Sequence, residues 1–198
     1  MTMIWYWVLV ILWIYTLSVL KRANLQAYYF WLGSVGLFLF LAFFDRHLLI
    51  KLMTDGTVSI LKSLATLMPG YSVHSANHVI AIMNGHQPVQ IHVDYEYSGA
   101  IETFAFVGLL WFFPVYHFLE KLLISVVGVL WIMIANILLL LLLIFVVQNT
   151  DVSQSFIVEN LVSRLIFYLV IVALYYLVFT KLQVVRGWQH WKVGVGNG

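Results

Sequence analysis

Long runs of apolar residues, separated by short polar segments, dominate the pattern of this chain. A transmembrane helix needs about 20 consecutive, mostly apolar residues to cross the hydrocarbon core of a bilayer. Runs of about this length cover residues 4–20, 28–44, 99–113, 122–147 and 161–179. The pattern therefore predicts an all-α polytopic membrane protein with about five transmembrane helices.

The long segment between the second and third runs, residues 45–98, has a different pattern. From Leu48 to Pro69, apolar positions are interrupted by Lys51, Asp55 and Lys62. This favours an amphipathic helix, broken at Gly56, that lies in the membrane interface. A further full span over these residues is the alternative.

Strict alternation follows the interfacial helix. Residues 89–97 alternate between apolar or aromatic and polar side chains, which is typical of a half-buried strand. An Asn84-Gly85 pair precedes this stretch, and Asn-Gly is a strong hairpin signal. We therefore expect a small extracytoplasmic β-hairpin on the membrane surface.

Composition agrees with a membrane location. The chain has 198 residues, of which 63% are hydrophobic and 9% charged, whereas a soluble domain carries roughly 25% charged residues. The net charge of +2 gives no reason to expect nucleic acid, and the absence of cysteine excludes disulfides, thiolate metal sites and a cysteine nucleophile. The first run lacks the flanks of a signal peptide, so we interpret residues 1–198 as one membrane domain.

Orientation follows from the short loops, because cytoplasmic loops collect Lys and Arg. With the amino terminus outside, the residues on the cytoplasmic side are Lys21, Arg22, Lys121, Lys181, Arg186 and Lys192. The outer segment 45–98 contains Arg46, Lys51 and Lys62. The excess of Lys and Arg on the cytoplasmic side predicts an external amino terminus and a cytoplasmic tail over residues 181–198.

Carboxylates cluster where the outer segment meets the third span. Asp94, Glu96 and Glu102 lie within nine residues of a chain that has eight Asp and Glu in total. Charges at membrane depth are costly and usually find partners, so we expect Glu102 to pair with Arg164 at the start of the fifth span. The alternative is that one of the two orients a substrate group.

Other polar residues suggest weaker candidates. Asn136, in the middle of the fourth span, is expected to form an interhelical hydrogen bond worth about 1 kcal/mol. His74 and His78 have the i, i+4 spacing of a helical metal site, but no helix is evident there, and a solvated polar face is favoured. Ser98 beside Glu96 is a weak candidate nucleophile. We expect neither a metal nor a cofactor.

Taken together, these motifs resemble the exosortase/archaeosortase family, and within it the Gram-positive exosortase G branch. The shared features are a Glu-x-Ser-Gly motif that opens a span, an Asn within the next span and an Arg at the start of the last. The matching segments are residues 95–102, 112–116, 128–131, 135–138, 164–168 and 178–180, together with 21–23 and 32–38. The resemblance implies a bacterial membrane enzyme that sorts and cleaves proteins at a carboxyl-terminal signal.

Three positions depart from the family pattern. The resemblance implies a catalytic Cys, Arg and His where this chain has Tyr97, Leu139 and Glu159. A phenol cannot replace a thiolate, and neither Leu nor Glu stabilises a developing negative charge. No catalytic residue is thus expected to be intact. The remaining residues expected to line the site are Glu96, Ser98, Gly99, Glu102, Asn136 and Arg164.

Three functions follow as hypotheses. The first is an exosortase-like protein of envelope assembly, catalytically impaired, that binds the lipid bilayer and a sorting-signal transmembrane helix or an envelope glycosyltransferase. The second is an active sorting transpeptidase that uses other residues, such as Ser98 or Glu159. The third, a small transporter or channel subunit, lacks support because no inverted repeat is visible.

Overall fold

The computed structural model describes residues 2–44, 48–68, 70–75, 77–84, 87–93, 97–149 and 163–181. The described chain is mostly helical with one small sheet. The helices are α1 (Thr2–Arg22), α2 (Gln26–Phe44), α3 (Leu48–Ala65), α4 (Ala100–Phe112), α5 (Phe118–Asn149) and α6 (Ser163–Tyr175), which continues as a π-helical segment, Tyr176–Lys181. The strands are β1 (Tyr71–His74), β2 (Val79–Asn84) and β3 (Gln87–His92).

Three of these helical stretches are long and apolar enough to cross a membrane. They are Gln26–Phe43, Phe118–Asn149 and Arg164–Lys181. The remaining predicted spans coincide with α1 and with α4, which is apolar but shorter. The structure thus indicates a membrane protein, and a total of five spans stays a prediction.

Contacts divide the chain into two compact units. The first contains Met1–Met53 and Ala100–Val129, and the second contains Thr54–Gly99 and Leu130–Gly198. The expectation of one membrane domain over residues 1–198 stays a prediction.

Small residues let the helices of the first unit pack closely. Gly33 lies against the ring of Phe112, and Gly36 lies against the indole of Trp13, so a side chain at either position would meet an aromatic ring. The Trp13 Nε1 donates a hydrogen bond to the Leu32 carbonyl at 2.9 Å, which ties α1 to α2. Both glycines thus leave room for an aromatic ring where any larger residue would not.

Side chains form hydrogen bonds to the backbone at both ends of the connection between α4 and α5. Helix α4 ends at Phe112, just before Pro114, which cannot continue a helix. The Lys121 Nζ donates to the Trp111 carbonyl at 2.7 Å, where a cation complements the carboxyl end of a helix. At the start of α5, a Glu120 carboxylate oxygen accepts from the His117 amide at 3.0 Å.

In the second unit, β1, β2 and β3 form an antiparallel sheet in that order. The predicted hairpin is confirmed as β2 and β3, whose last pair is Asn84 opposite Gln87. The sequence interpretation missed β1, a strand of four residues directly after Gly70. Only its pairing with β2 makes so short a segment a strand.

The third strand is shorter than predicted. The alternation anticipated over residues 89–97 holds for the described part, since Ile91 and Val93 are buried while Gln90 and His92 are exposed. Ladder pairing nevertheless ends at His92, because β2 begins at Val79 and the preceding residue, His78, turns the chain with φ of 51°. The last bond runs from the Val93 amide to the His78 carbonyl at 2.8 Å.

Helix α3 is continuous through Gly56, so the predicted break there is wrong. A helical glycine costs roughly 0.5–1 kcal/mol relative to alanine. Burial of one amphipathic face offsets this cost; the buried side chains are Met53, Thr54, Thr57, Val58 and Leu61. The amphipathic character is confirmed, and its location in the membrane interface stays a prediction.

Candidate functional site

Tyr97, Ser98 and Gly99 form a turn between the sheet and α4. Ser98 and Gly99 are buried, and Tyr97 is half-buried. Gly99 has φ of +70°, a left-handed conformation that favours glycine. A side chain at Gly99 would also come within 3.2 Å of Ile132. The turn is therefore held tightly against α5.

Asn136 fixes this turn from within α5. It is only 1% exposed, and its Nδ2 donates a hydrogen bond to the Tyr97 carbonyl. The sequence interpretation expected an interhelical bond; that partner is wrong, because the acceptor belongs to a turn. Turn carbonyls have free lone pairs, whereas helical carbonyls are already bonded within their own helix.

Arg164 reaches the same turn from α6. Its guanidinium carbon lies 5.7 Å from the centroid of the Tyr97 ring, within the range of a cation–π contact. Tyr97 thus contacts an arginine through its ring and an asparagine through its carbonyl. Three residues that lie far apart in the sequence meet at one point in the second unit.

Glu102 lies in the first turn of α4 and is half-buried. A carboxylate there complements the positive end of the helix dipole, which accounts for an acidic residue at this depth. The expected ion pair with Arg164 joins residues of the two different units and stays a prediction.

Leu139, where the resemblance implies an arginine, lies within α5. Leu139 is buried at 8% exposure, one helical turn beyond Asn136. Its apolar side chain suits that burial, and no charge is available at this position. Glu96 and Glu159 lie outside the described residues, so the roles expected for them stay predictions.

A histidine–carboxylate pair that the sequence did not suggest lies in the same unit. The His78 Nε2 is 2.8 Å from the Asp55 Oδ1, which connects the turn before β2 to α3. No spacing rule could reveal this pair, because the two residues come from separate elements. Among the described residues, no group of three or more potential metal ligands is found.

The first unit contains an apolar groove of about 550 Å³. It lies between α1 and α2 and is lined by Leu9, Val10, Trp13, Gly36, Leu39, Phe40 and Phe43. A groove lined in this way offers contacts for hydrocarbon and little else.

Comparison with family models, with curated proteins and with solved structures finds no match to this chain. The site combines an arginine with a tight turn that a buried amide holds in place, and the guanidinium is of a kind that binds polar or anionic groups. The chain contains no thiol to attack one.

Proposed function

We propose that this chain is a multi-pass bacterial membrane protein of exosortase type that binds a sorting-signal segment without cleaving it. Its five spans place the amino terminus outside and the tail 181–198 in the cytoplasm. The sheet and the turn at Tyr97 face the outer side. Its place is in protein sorting or envelope assembly, with a sorting-signal helix or an envelope glycosyltransferase as the partner.

The meeting of Tyr97, Asn136 and Arg164 carries this proposal. The motif resemblance expects these three positions in one site, although it says nothing of their geometry. In the structure, Asn136 bonds the Tyr97 backbone and Arg164 lies against the Tyr97 ring. A site whose framework is kept in this way supports a retained binding role.

The chemistry at the same positions argues against catalysis. A tyrosine phenol is a poor replacement for a cysteine nucleophile, because it lacks the soft sulfur of a thiolate. Leu139 offers no charge where an anionic intermediate would need one. Binding is therefore the function that these residues can perform.

A binding and cleavage assay tests the proposal directly. The purified protein is reconstituted in lipid and mixed with a synthetic sorting-signal helix that carries a photo-crosslinker and a fluorophore. We expect crosslinking without cleavage, and we expect Arg164→Gln to lower crosslinking severalfold. Lys181→Gln, at the exposed far end of the same helical segment, is the matched control and should bind like the parent.

The alternative is an active enzyme that uses Ser98. Cleavage of the helix by the parent, abolished in Ser98→Ala, would contradict the proposed loss of activity. The burial of Ser98 at 0% exposure argues against this outcome, because a nucleophile must reach its substrate.

A second experiment tests the assignment of the site positions. The triple variant Tyr97→Cys, Leu139→Arg and Glu159→His introduces the sole cysteine of the chain. We expect a thiol-reactive probe to label it faster at neutral pH than Tyr97→Cys alone, because nearby cations favour the thiolate. Equal labelling rates would contradict the assignment of Leu139 and Glu159.

A further inference from the structure

We infer that the bilayer covers only the first two thirds of α5, from Phe118 to about Leu138, and that residues 139–149 project beyond the bilayer. These last residues form the core of a water-exposed part of the second unit. The inference requires that the chain is a membrane protein, and it is independent of the proposed exosortase-type function.

The length of α5 makes a projection beyond the bilayer necessary. Its 32 residues extend about 48 Å at 1.5 Å per residue, while the hydrocarbon core is about 30 Å thick. At the average tilt of about 20°, roughly 21 residues fill the core, and at 40°, near the upper limit, about 26 residues do so. Several residues must lie outside at any ordinary tilt.

The exposure of side chains along α5 changes at Leu138. Up to that residue, large apolar side chains are exposed in every turn; they are Phe118, Leu119, Leu122, Leu123, Val126, Val127, Leu130, Trp131, Ile134 and Leu138. In residues 139–149, all of which the structure describes, Phe145 is the one large apolar side chain that is exposed. The first stretch spans about 31 Å, the thickness of a hydrocarbon core.

The sheet and α3 cover the last third of α5. Ile137, Leu140, Leu143, Ile144 and Val147 share one buried cluster with side chains of the sheet and of α3. Farther along the same side, Gly70 lies beside Gln148, so the turn after α3 is level with the end of α5. The apolar sequence of this stretch is thus explained by protein contacts rather than by lipid.

The sheet and α3, which cover α5 there, expose polar side chains beside the apolar Ile60 and Met83. Lys62 on α3 and His74, Gln90 and His92 on the sheet are exposed. The sheet is open, and in the described chain β1 and β3 are its edges. Unpaired edge groups cost several kcal/mol each in hydrocarbon, so an open sheet edge does not face lipid. The outer surface of the sheet and of α3, which cover residues 139–149, therefore faces water rather than lipid.

This boundary has a consequence for the candidate site. Asn136 falls in the last turn of the lipid-covered stretch, and so does its hydrogen bond to Tyr97, whose ring contacts Arg164. The site then lies at the level where a polypeptide leaves the bilayer, within reach of the polar flank of a transmembrane segment.

Single-cysteine labelling tests the boundary, because the chain has no native cysteine. Val127→Cys and Phe145→Cys are matched, since the parent side chains are 62% and 65% exposed. Open membrane fragments that contain either variant are treated with a membrane-impermeant maleimide, and the labelled fraction is compared with that after denaturation in detergent. Gln90→Cys, on the exposed face of β3, is the positive control.

We expect Phe145→Cys to label at least about tenfold faster than Val127→Cys, because apolar surroundings disfavour the reactive thiolate and water favours it. Protection of Phe145→Cys to the level of Val127→Cys, with Gln90→Cys labelled, would overturn the inference. If Phe145→Cys fails to fold, Asn149→Cys takes its place with the same expected result, since Asn149 is exposed in the last turn of α5.

Discussion

The same substitution at two helical glycines, Gly108→Ala and Gly56→Ala, should have effects of opposite sign. A methyl group at Gly108 in α4 would come within 2.9 Å of the Ser34 backbone oxygen in α2 and within 3.4 Å of the Phe38 amide nitrogen. Backbone atoms cannot move away without shifting a helix. A methyl group at Gly56 in α3 would meet only the flexible end of Met133 at 3.5 Å, an ordinary contact.

The magnitudes follow from two competing terms. Inside a helix, alanine stabilises the folded state by roughly 0.5–1 kcal/mol relative to glycine. Overpacking a tight contact destabilises the folded state by typically 1–3 kcal/mol. Gly56→Ala carries the first term alone and should raise the free energy of unfolding by about 0.5–1 kcal/mol. Gly108→Ala carries both terms and should lower it by about 0.5–2 kcal/mol.

Equilibrium unfolding of both variants in the same detergent, titrated with sodium dodecyl sulfate and followed by tryptophan fluorescence, measures the difference. Circular dichroism of the folded variants checks that helix content is unchanged. If Gly108→Ala were as stable as Gly56→Ala, the close approach of α2 and α4 would be wrong.

Two further predictions concern the second unit. Asn136→Ala should destabilise the protein by about 1–3 kcal/mol, because the Tyr97 carbonyl loses its hydrogen-bond donor. Asn149→Ala, the control at an exposed amide, should change the free energy of unfolding by less than about 0.5 kcal/mol. Equal losses in the two variants would contradict the role of Asn136. Burial raises the pKa of Tyr71 above its ordinary value of 10.0, so the folded state favours the neutral phenol. Its contribution is fully present below that value and is lost as pH rises through the raised pKa. Chemical unfolding from about pH 9 to about pH 11 should show an alkaline loss of stability in the parent that Tyr71→Phe lacks.

Local patterns predicted most of the secondary structure. The apolar runs predicted the helices, because a helix forms its backbone hydrogen bonds within its own segment and so depends on its own residues. The Asn84-Gly85 pair and the alternation that follows gave the β2–β3 hairpin for a similar reason, since turn and strands are neighbours in the chain. The observed ends of the elements differ from the predicted ones by a few residues. Strand β3, for example, ends at His92 because its partner β2 begins at Val79.

The errors arose where a distant element decides the outcome. Strand β1 has four residues and exists through pairing with β2. Gly56 does not break α3, because burial of the neighbouring side chains outweighs the local cost of glycine. The partner of Asn136 and the contact between His78 and Asp55 join segments that no periodicity relates.

The sequence by itself determined that this is an apolar, helical chain without a thiol, since hydropathy and composition act residue by residue. Only the tertiary structure decided that Tyr97, Asn136 and Arg164 meet. It also decided that the most apolar stretch of the chain, at the end of α5, is covered by a sheet and a helix. Hydropathy counts apolar side chains without distinguishing lipid from protein as their neighbour, and that distinction depends on what the rest of the chain packs against them.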